Sequence, residues 1–219
     1  MLQNRTIAVV VPAYNEEDQI DEVIASMPAF VDRIVVVNDL STDRTAEVVL
    51  DRVKEELPEF GNEQIGPRIL ERTRYHEAEM VLQERDEKEI ADFVPSELLN
   101  SGPENSRLIL INHLKNGGVG AAIARGYKWC KDNNIDCTAV MAGDGQMDPA
   151  ELEGICMPVV DGSVDYVKGN RLTHRSAKLV IPRTRYLGNS ILSIMTKMAS
   201  GYWRVSDTQT GYTAIFTTL

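Results

Sequence analysis

The chain reads as an α/β protein with a parallel or mostly parallel central sheet and helices on both faces. Three observations predict this. Short apolar, β-branched runs recur, each the length of a strand covered on both sides. Between them lie segments with apolar residues at i, i+3, i+4 and i+7, the stripe of a helix packed on one side. The two kinds of segment alternate, which demands crossover connections and therefore parallel strands.

The first run is residues 6–11, TIAVVV. In PAYNEEDQ behind it, Asn15 is placed to cap a helix with acidic residues in its first turn. Ile20, Val23, Ile24 and Met27 give that helix its stripe and Pro28 closes it. Residues 33–38, RIVVVN, form a second strand, and DLSTDRT is a polar turn. Ala46, Val49, Leu50, Val53 and Leu57 mark the next helix, ended by Pro58. Residues 59–106 break the rhythm, punctuated by Gly61, Gly66, Pro67, Pro95, Gly102 and Pro103. This stretch is expected to be a charged insertion, with a solvated helix at about 69–90. RLILIN at 107–112 restores a strand, and NGGVGAAIARGY is a Gly-rich turn entering a helix. TAVMA at 138–142 is a fourth strand. Asp148, Pro149 and Glu151 suit the Ncap, N1 and N3 positions of the helix that follows. Another strand starts at 165–167, and Ile191, Ile194, Met195 and Met198 again show helical spacing. The whole of 1–219 is expected to be one catalytic domain.

Composition narrows the function classes. Of 219 residues, 43% are apolar and 26% charged, the balance of a globular domain. No stretch reaches the roughly 18 apolar residues of a membrane span, and the N-terminus lacks the marks of a signal peptide. A cytoplasmic location is expected, with buried, idle thiols at Cys130, Cys137 and Cys156, which match no metal or CxxC spacing. A net charge of −10 argues against nucleic-acid binding by bulk positive charge. The charge is unevenly spread: residues 71–104 hold ten Asp/Glu and four Lys/Arg, whereas 168–204 hold eight Lys/Arg and no acid. The second segment points to an anionic partner.

Ligands of parallel sheets bind outside the carboxyl ends of the strands. PAYNE, NDLSTD, NGGVG and GDGQMD each directly follow a strand, so all four should line one rim. In GDGQMD, Asp144 and Gln146 alternate beside two glycines. Their hard oxygen ligands suit Mg²⁺ or Mn²⁺ shared with substrate phosphates; a capped polar turn without metal fits the string equally well. Tyr14 can lie flat against a base and Glu16 can accept from a base or ribose, although an ordinary strand-to-helix turn explains PAYNEE as readily. Asp39 is a partner for a base N–H or the head of an Asx-type turn. NGGVGAA is a poor dinucleotide fingerprint, because its third position is Ile123 and it follows a later strand. A tight turn near a ligand is the better reading.

Six strings in this order, VVPAYNEE, NDLSTD, NGGVGAAI, AGDGQMDP, KGNR and DTQTGY, span residues 7–216. Together they resemble the family 2 glycosyltransferases of GT-A fold, nearest the branch of dolichyl-phosphate sugar synthases and bacterial polyprenyl-phosphate glycosyltransferases. The resemblance implies a metal-dependent, inverting transfer from a UDP- or GDP-sugar to a polyprenyl or dolichyl phosphate at the cytoplasmic face of a membrane. By position it assigns Pro12, Tyr14, Glu16 and Asp39 to the nucleotide, and Asp144 and Gln146 to the metal and diphosphate. Arg171, Arg185 and Asn189 fall to the acceptor phosphate, which agrees with the basic segment. Asp144 and Asp207 fall at the reaction centre, Asp207 as an orienting group when the acceptor is already ionised.

Three positions depart from the pattern. Ala142 stands in place of the first Asp of D-x-D, Asn38 in place of the first Asp of DDGSTD, and Leu40 in place of its Gly. They motivate an alternative, a nucleotide-sugar-binding protein with weak or no catalysis. A second alternative, a sugar nucleotidyltransferase, should carry a basic Gly-rich loop after the first strand, where this chain has the acidic PAYNEE. Family members often continue beyond the last motif, so a C-terminal truncation at GYTAIFTTL is also expected.

Overall fold

The computed structural model describes residues 1–56, 88–100, 106–169, 183–201 and 211–217. One seven-stranded sheet organises them, in the order β3-β4-β2-β1-β5-β7-β6. The strands are β1 (Ile7–Ala13), β2 (Arg33–Asn38), β3 (Ser96–Leu98), β4 (Leu108–His113), β5 (Cys137–Val140), β6 (Tyr166–Lys168) and β7 (Thr213–Phe216). The helices are α1 (Ile20–Ala25), α2 (Thr45–Glu56), α3 (Val119–Asp132), α4 (Leu152–Val160) and α5 (Arg183–Ser200). β1 pairs in parallel with β2 and β5, and β2 with β4. The flanks are antiparallel: β3 on β4, β7 on β5, β6 on β7.

Alternation along the strands explains the two layers. Ile7, Val9 and Val11 face a core shared with α1, α2 and α4, while Ala8 and Val10 face a core shared with α3. All five are fully buried, and each large side chain contributes about 1.5–3 kcal/mol. Gly126 lets α3 approach: an added Cβ there would lie 2.3 Å from Val10 Cγ1. Pro12 is tolerated inside the sheet because its N and O face β5 just past the end of that ladder. There its carbonyl accepts the Gly143 N–H at 3.4 Å.

The expected strands and helices outside 59–106 are present, with local differences at Asn15 and in the insertion. Asn15 does not cap α1; the Ncap is Gln19, without a side-chain bond, and Asn15 sits at φ +57°. The expected insertion is partly built into the sheet, since Ser96–Leu98 forms the edge strand β3. The solvated helix expected at about 69–90 lies almost wholly outside the described residues. Ile191, Ile194, Met195 and Met198 do share a helix, but the stripe points outward, 50–71% exposed. Ser193, on the opposite side of α5, is buried instead. The helix start expected at Asp148 is present: its carboxylate accepts the Ala150 N–H at 2.9 Å, and Pro149–Glu151 makes a 3-10 turn into α4. The three cysteines are free and buried.

Candidate active site at the carboxyl edge of the sheet

The loops after β1, β2, β4 and β5 meet at one rim, and hydrogen bonds tie them together. The Asn15 N–H donates to Ser41 Oγ at 3.0 Å, and Asn15 Oδ1 accepts the Thr42 N–H at 2.8 Å. The Glu16 N–H donates to Thr45 Oγ1 at 2.9 Å and the Glu17 N–H to Asp43 Oδ2 at 3.1 Å. Asp43, which also accepts the Thr45 N–H at 3.0 Å, thus both caps α2 and clamps the first loop. Hydrogen bonds hold its carboxyl below the usual range against the upward push of burial. Side chains close the β2–β4 seam, where Asn38 Nδ2 donates to Asn112 Oδ1 at 2.6 Å. Leu40 occupies a left-handed conformation, φ +60°, which accounts for glycine at this place in the motif it resembles.

Tyr14 is half exposed on the rim and Glu16 is partly buried beside it. The Glu16 carboxyl is pushed up, first by burial and then by the negative charges of Asp144 and Asp43. The first and fourth loops also meet through the main chain, where the Pro12 carbonyl accepts the Gly143 N–H. Asp144 is half-buried, its Oδ1 accepting the Gln146 N–H at 3.1 Å; Gln146 is exposed. Gly145, at φ +67°, makes the tight turn between them. A divalent ion fits this chemistry, since one carboxylate and one amide oxygen open to solvent leave most coordination sites to water and phosphate. Among the described residues no group of three His, Cys, Asp or Glu could hold an ion without such help.

Asp39 is less open than its place in the motif suggests. It is only 3% exposed and accepts from Gly117 N–H (2.8 Å), Gly118 N–H (2.6 Å) and the His113 ring (2.7 Å). Burial pushes its carboxyl up, but bonds from Gly117, His113 and Gly118 outweigh that and hold it low. The Gly-rich turn is therefore pinned to the end of β2. Pro12 is buried in β1 and meets the rim through its backbone. Sequence reasoning missed His113. The strand runs one residue past RLILIN, and a polar residue on the inward face next to the glycine turn was the available signal.

Arg171 and Asp207 lie outside the described residues. Arg185 and Asn189 are on α5, with side chains outside the description. At the far side of the rim, the Tyr212 hydroxyl donates to the Asp148 carbonyl at 3.0 Å. Burial, foremost, pushes the Tyr212 phenol well up.

Comparison with known proteins agrees with this geometry. A model of glycosyl transferase family 2 matches residues 8–74. A UDP-N-acetylglucosamine–dolichyl-phosphate N-acetylglucosaminyltransferase of Methanococcus voltae is 26% identical over 215 residues, 97% of this chain and 70% of the relative. An uncharacterized protein of Methanocaldococcus jannaschii is 24% identical over 209 residues, 95% of this chain and 63% of the relative. Among solved structures, glucosyl-3-phosphoglycerate synthase of Mycobacterium tuberculosis superposes with a TM-score of 0.54 at 19% identity. A complex of that enzyme with Mn²⁺, UDP-glucose and glycerol 3-phosphate gives 0.55 at 20%. These superpositions cover 98% of this chain and 57–58% of the enzyme. At such identity they bear on the fold alone. The chain is thus similar to family 2 glycosyltransferases over residues 8–74 and shares its fold with glucosyl-3-phosphoglycerate synthase.

Proposed function

We propose that the protein transfers a sugar, with inversion, from a UDP- or GDP-sugar to a polyprenyl or dolichyl phosphate. The observation that carries this is the convergence on one rim of the loops that hold Tyr14, Glu16, Asp39 and Asp144, tied together by hydrogen bonds. Tyr14 stacks on the base, Glu16 receives the ribose or base, and Asp144 with Gln146 faces the diphosphate. Asp144 and Gln146 would hold Mg²⁺ or Mn²⁺ there, which would supply positive charge to the diphosphate. The acceptor phosphate oxygen, already ionised, attacks the anomeric carbon as the bond to the diphosphate breaks and its electron pair leaves with the nucleotide. Arg171, Arg185 and Asn189 orient that phosphate, guanidinium forks matching its oxygens. Asp207 orients a neighbouring group. Positioning and charge stabilisation do most of the work. The dolichyl-phosphate substrate named for the M. voltae relative supports the acceptor class.

The same reading places the protein peripherally at a membrane surface. Among the described residues no helix is long and apolar enough to cross a membrane. α5 instead turns Ile191, Leu192, Ile194, Met195 and Met198 outward, inside a segment with eight basic residues and no acid. Apolar insertion beside positive charge is how a helix lies in an anionic interface.

The test is a panel of UDP- and GDP-sugars with Mg²⁺ or Mn²⁺, with and without polyprenyl phosphate, comparing wild type with Asp144→Ala. Free nucleoside diphosphate and glycolipid are expected from the wild type, and a rate at least about a hundredfold lower from the variant. Pyrophosphate as product would indicate the nucleotidyltransferase reaction. Donor binding without turnover on any acceptor would indicate a binding protein.

A further inference from the structure

We propose that His113 is a positioning residue for nucleotide binding: it locks the Asp39 carboxylate so that its remaining acceptor site keeps a fixed direction for the donor's base. This rests on the reading above that the rim binds a nucleotide.

An ionised carboxylate only accepts, with about four lone-pair sites on two oxygens. On Asp39, Oδ1 takes both the His113 Nδ1 at 2.7 Å and the Gly117 N–H at 2.8 Å. Oδ2 takes the Gly118 N–H at 2.6 Å. Among the described residues three sites are filled, and the one left is on Oδ2. Because Asp39 cannot donate, His113 Nδ1 carries the proton in this pair. With both Oδ1 sites held, the carboxylate cannot rotate without giving up a bond, so the direction of the remaining lone pair is fixed. The Asp39 main chain is held as well: its N–H donates to the Ala13 carbonyl at 2.9 Å, and its carbonyl accepts from Asn116 Nδ2 at 3.1 Å.

Packing alone does not explain a histidine here. His113 is fully buried, on the face of β4 that carries Ile109 and Ile111. Its Nε2 is buried without a hydrogen-bond partner among the described residues. An aliphatic side chain would fill this space without leaving a polar atom unpaired. What histidine adds is the Nδ1 donor, and that donor is spent on Asp39.

Three variants separate the role of the donor from that of the volume. His113→Asn keeps an amide nitrogen near the place of Nδ1, His113→Gln moves it toward the place of Nε2, and His113→Leu removes it. UDP and GDP are titrated into each full-length protein with Mn²⁺ by calorimetry. Amide exchange of the 115–119 turn is followed by mass spectrometry, and kcat and donor KM are measured separately. Leu and Gln are expected to weaken nucleotide binding about tenfold, the size of one lost hydrogen bond. The loss should appear in donor KM, with kcat within about threefold of wild type, and with faster exchange of the turn. Asn should stay near wild type in every readout. Wild-type affinity in the Leu variant overturns the proposal. So does equal weakening by Asn and Leu, which marks a purely structural residue. If the wild type binds neither nucleotide, the functional reading fails. Exchange that is equal in all four proteins overturns the positioning itself, whatever the nucleotide result.

Discussion

Replacing Gly126 with alanine should destabilise the protein, although alanine is the better helix former. The new Cβ would lie 2.3 Å from Val10 Cγ1 and 2.8 Å from Cγ2. Val10 is fully buried on the central strand β1, and a β-branched side chain has little χ1 freedom. Rotation would replace one clash with the other. Overpacking of this kind costs about 1–3 kcal/mol, against a gain of about 0.8–1.0 kcal/mol in helix propensity. At the middle of these ranges the net is about 1 kcal/mol destabilising. Val10→Ala alone should cost about 2–3 kcal/mol through lost burial and a cavity. In the double variant the new methyl enters the space Val10 vacates, so the losses should fall short of their sum by about 2 kcal/mol. Urea titration measures all four proteins, with midpoints expected to move by about 1 M for each 1–3 kcal/mol. Gly126→Ala as stable as wild type, or additivity within about 0.5 kcal/mol, would refute the close approach of α3 to β1.

Other perturbations test the rim. Leu40→Gly should raise stability by up to about 1 kcal/mol, because a left-handed leucine costs about 1–2 kcal/mol and the more flexible unfolded glycine returns part of it; a lower melting temperature would show that the leucine side chain makes compensating contacts. The Glu16 carboxyl is raised in the folded protein, so its contribution is present below the unfolded pKa and is lost as pH rises through the folded value. Glu16→Gln should therefore stabilise at pH 7 but not near pH 4, and Mn²⁺ should shrink the difference; an equal gain at both pH values would contradict the coupling to Asp144. Asp39 is shifted the other way, so its contribution is present above the unfolded pKa and is lost as pH falls through the folded value. Asp39→Asn should cost about 3 kcal/mol at neutral pH, closing in acid; a pH-independent difference in thermal melts would argue against an ionised carboxylate. Ile194→Glu with Met195→Glu should abolish flotation on vesicles containing anionic lipid by removing apolar insertion; unchanged flotation would assign membrane contact to another surface.

Much of this architecture was legible in the sequence because fully buried parallel strands leave a simple trace. The stretches IAVVV, IVVV and LILI at their centres are unbroken apolar runs, since both faces of each strand are covered. The rim followed from a topological rule, without any side-chain geometry. What could not be read was partnership across the chain. Asn15 looked like a local helix cap, yet it binds Thr42, 27 residues away. Asp39 read as a base partner or the head of an Asx-type turn, and only the fold reveals the two glycine amides and the histidine around it. The outward direction of the α5 stripe could not be read for a related reason, because periodicity reveals that a helix has an apolar side and not what that side meets. β3 escaped because three residues in a charged stretch carry too little pattern to register as a strand.

Reversal of direction at β7 has a consequence for how the rim is assembled. A strand running with its neighbours delivers to that edge whatever comes after it, whereas one running against them delivers whatever comes before. Gly211 and Tyr212 therefore arrive at the edge ahead of β7, and the Tyr212 hydroxyl latches onto the turn that opens α4. Two parts of the chain separated by more than sixty residues thus share one wall, and slippage of β7 along β5 would carry that latch away from the loop that holds Asp144.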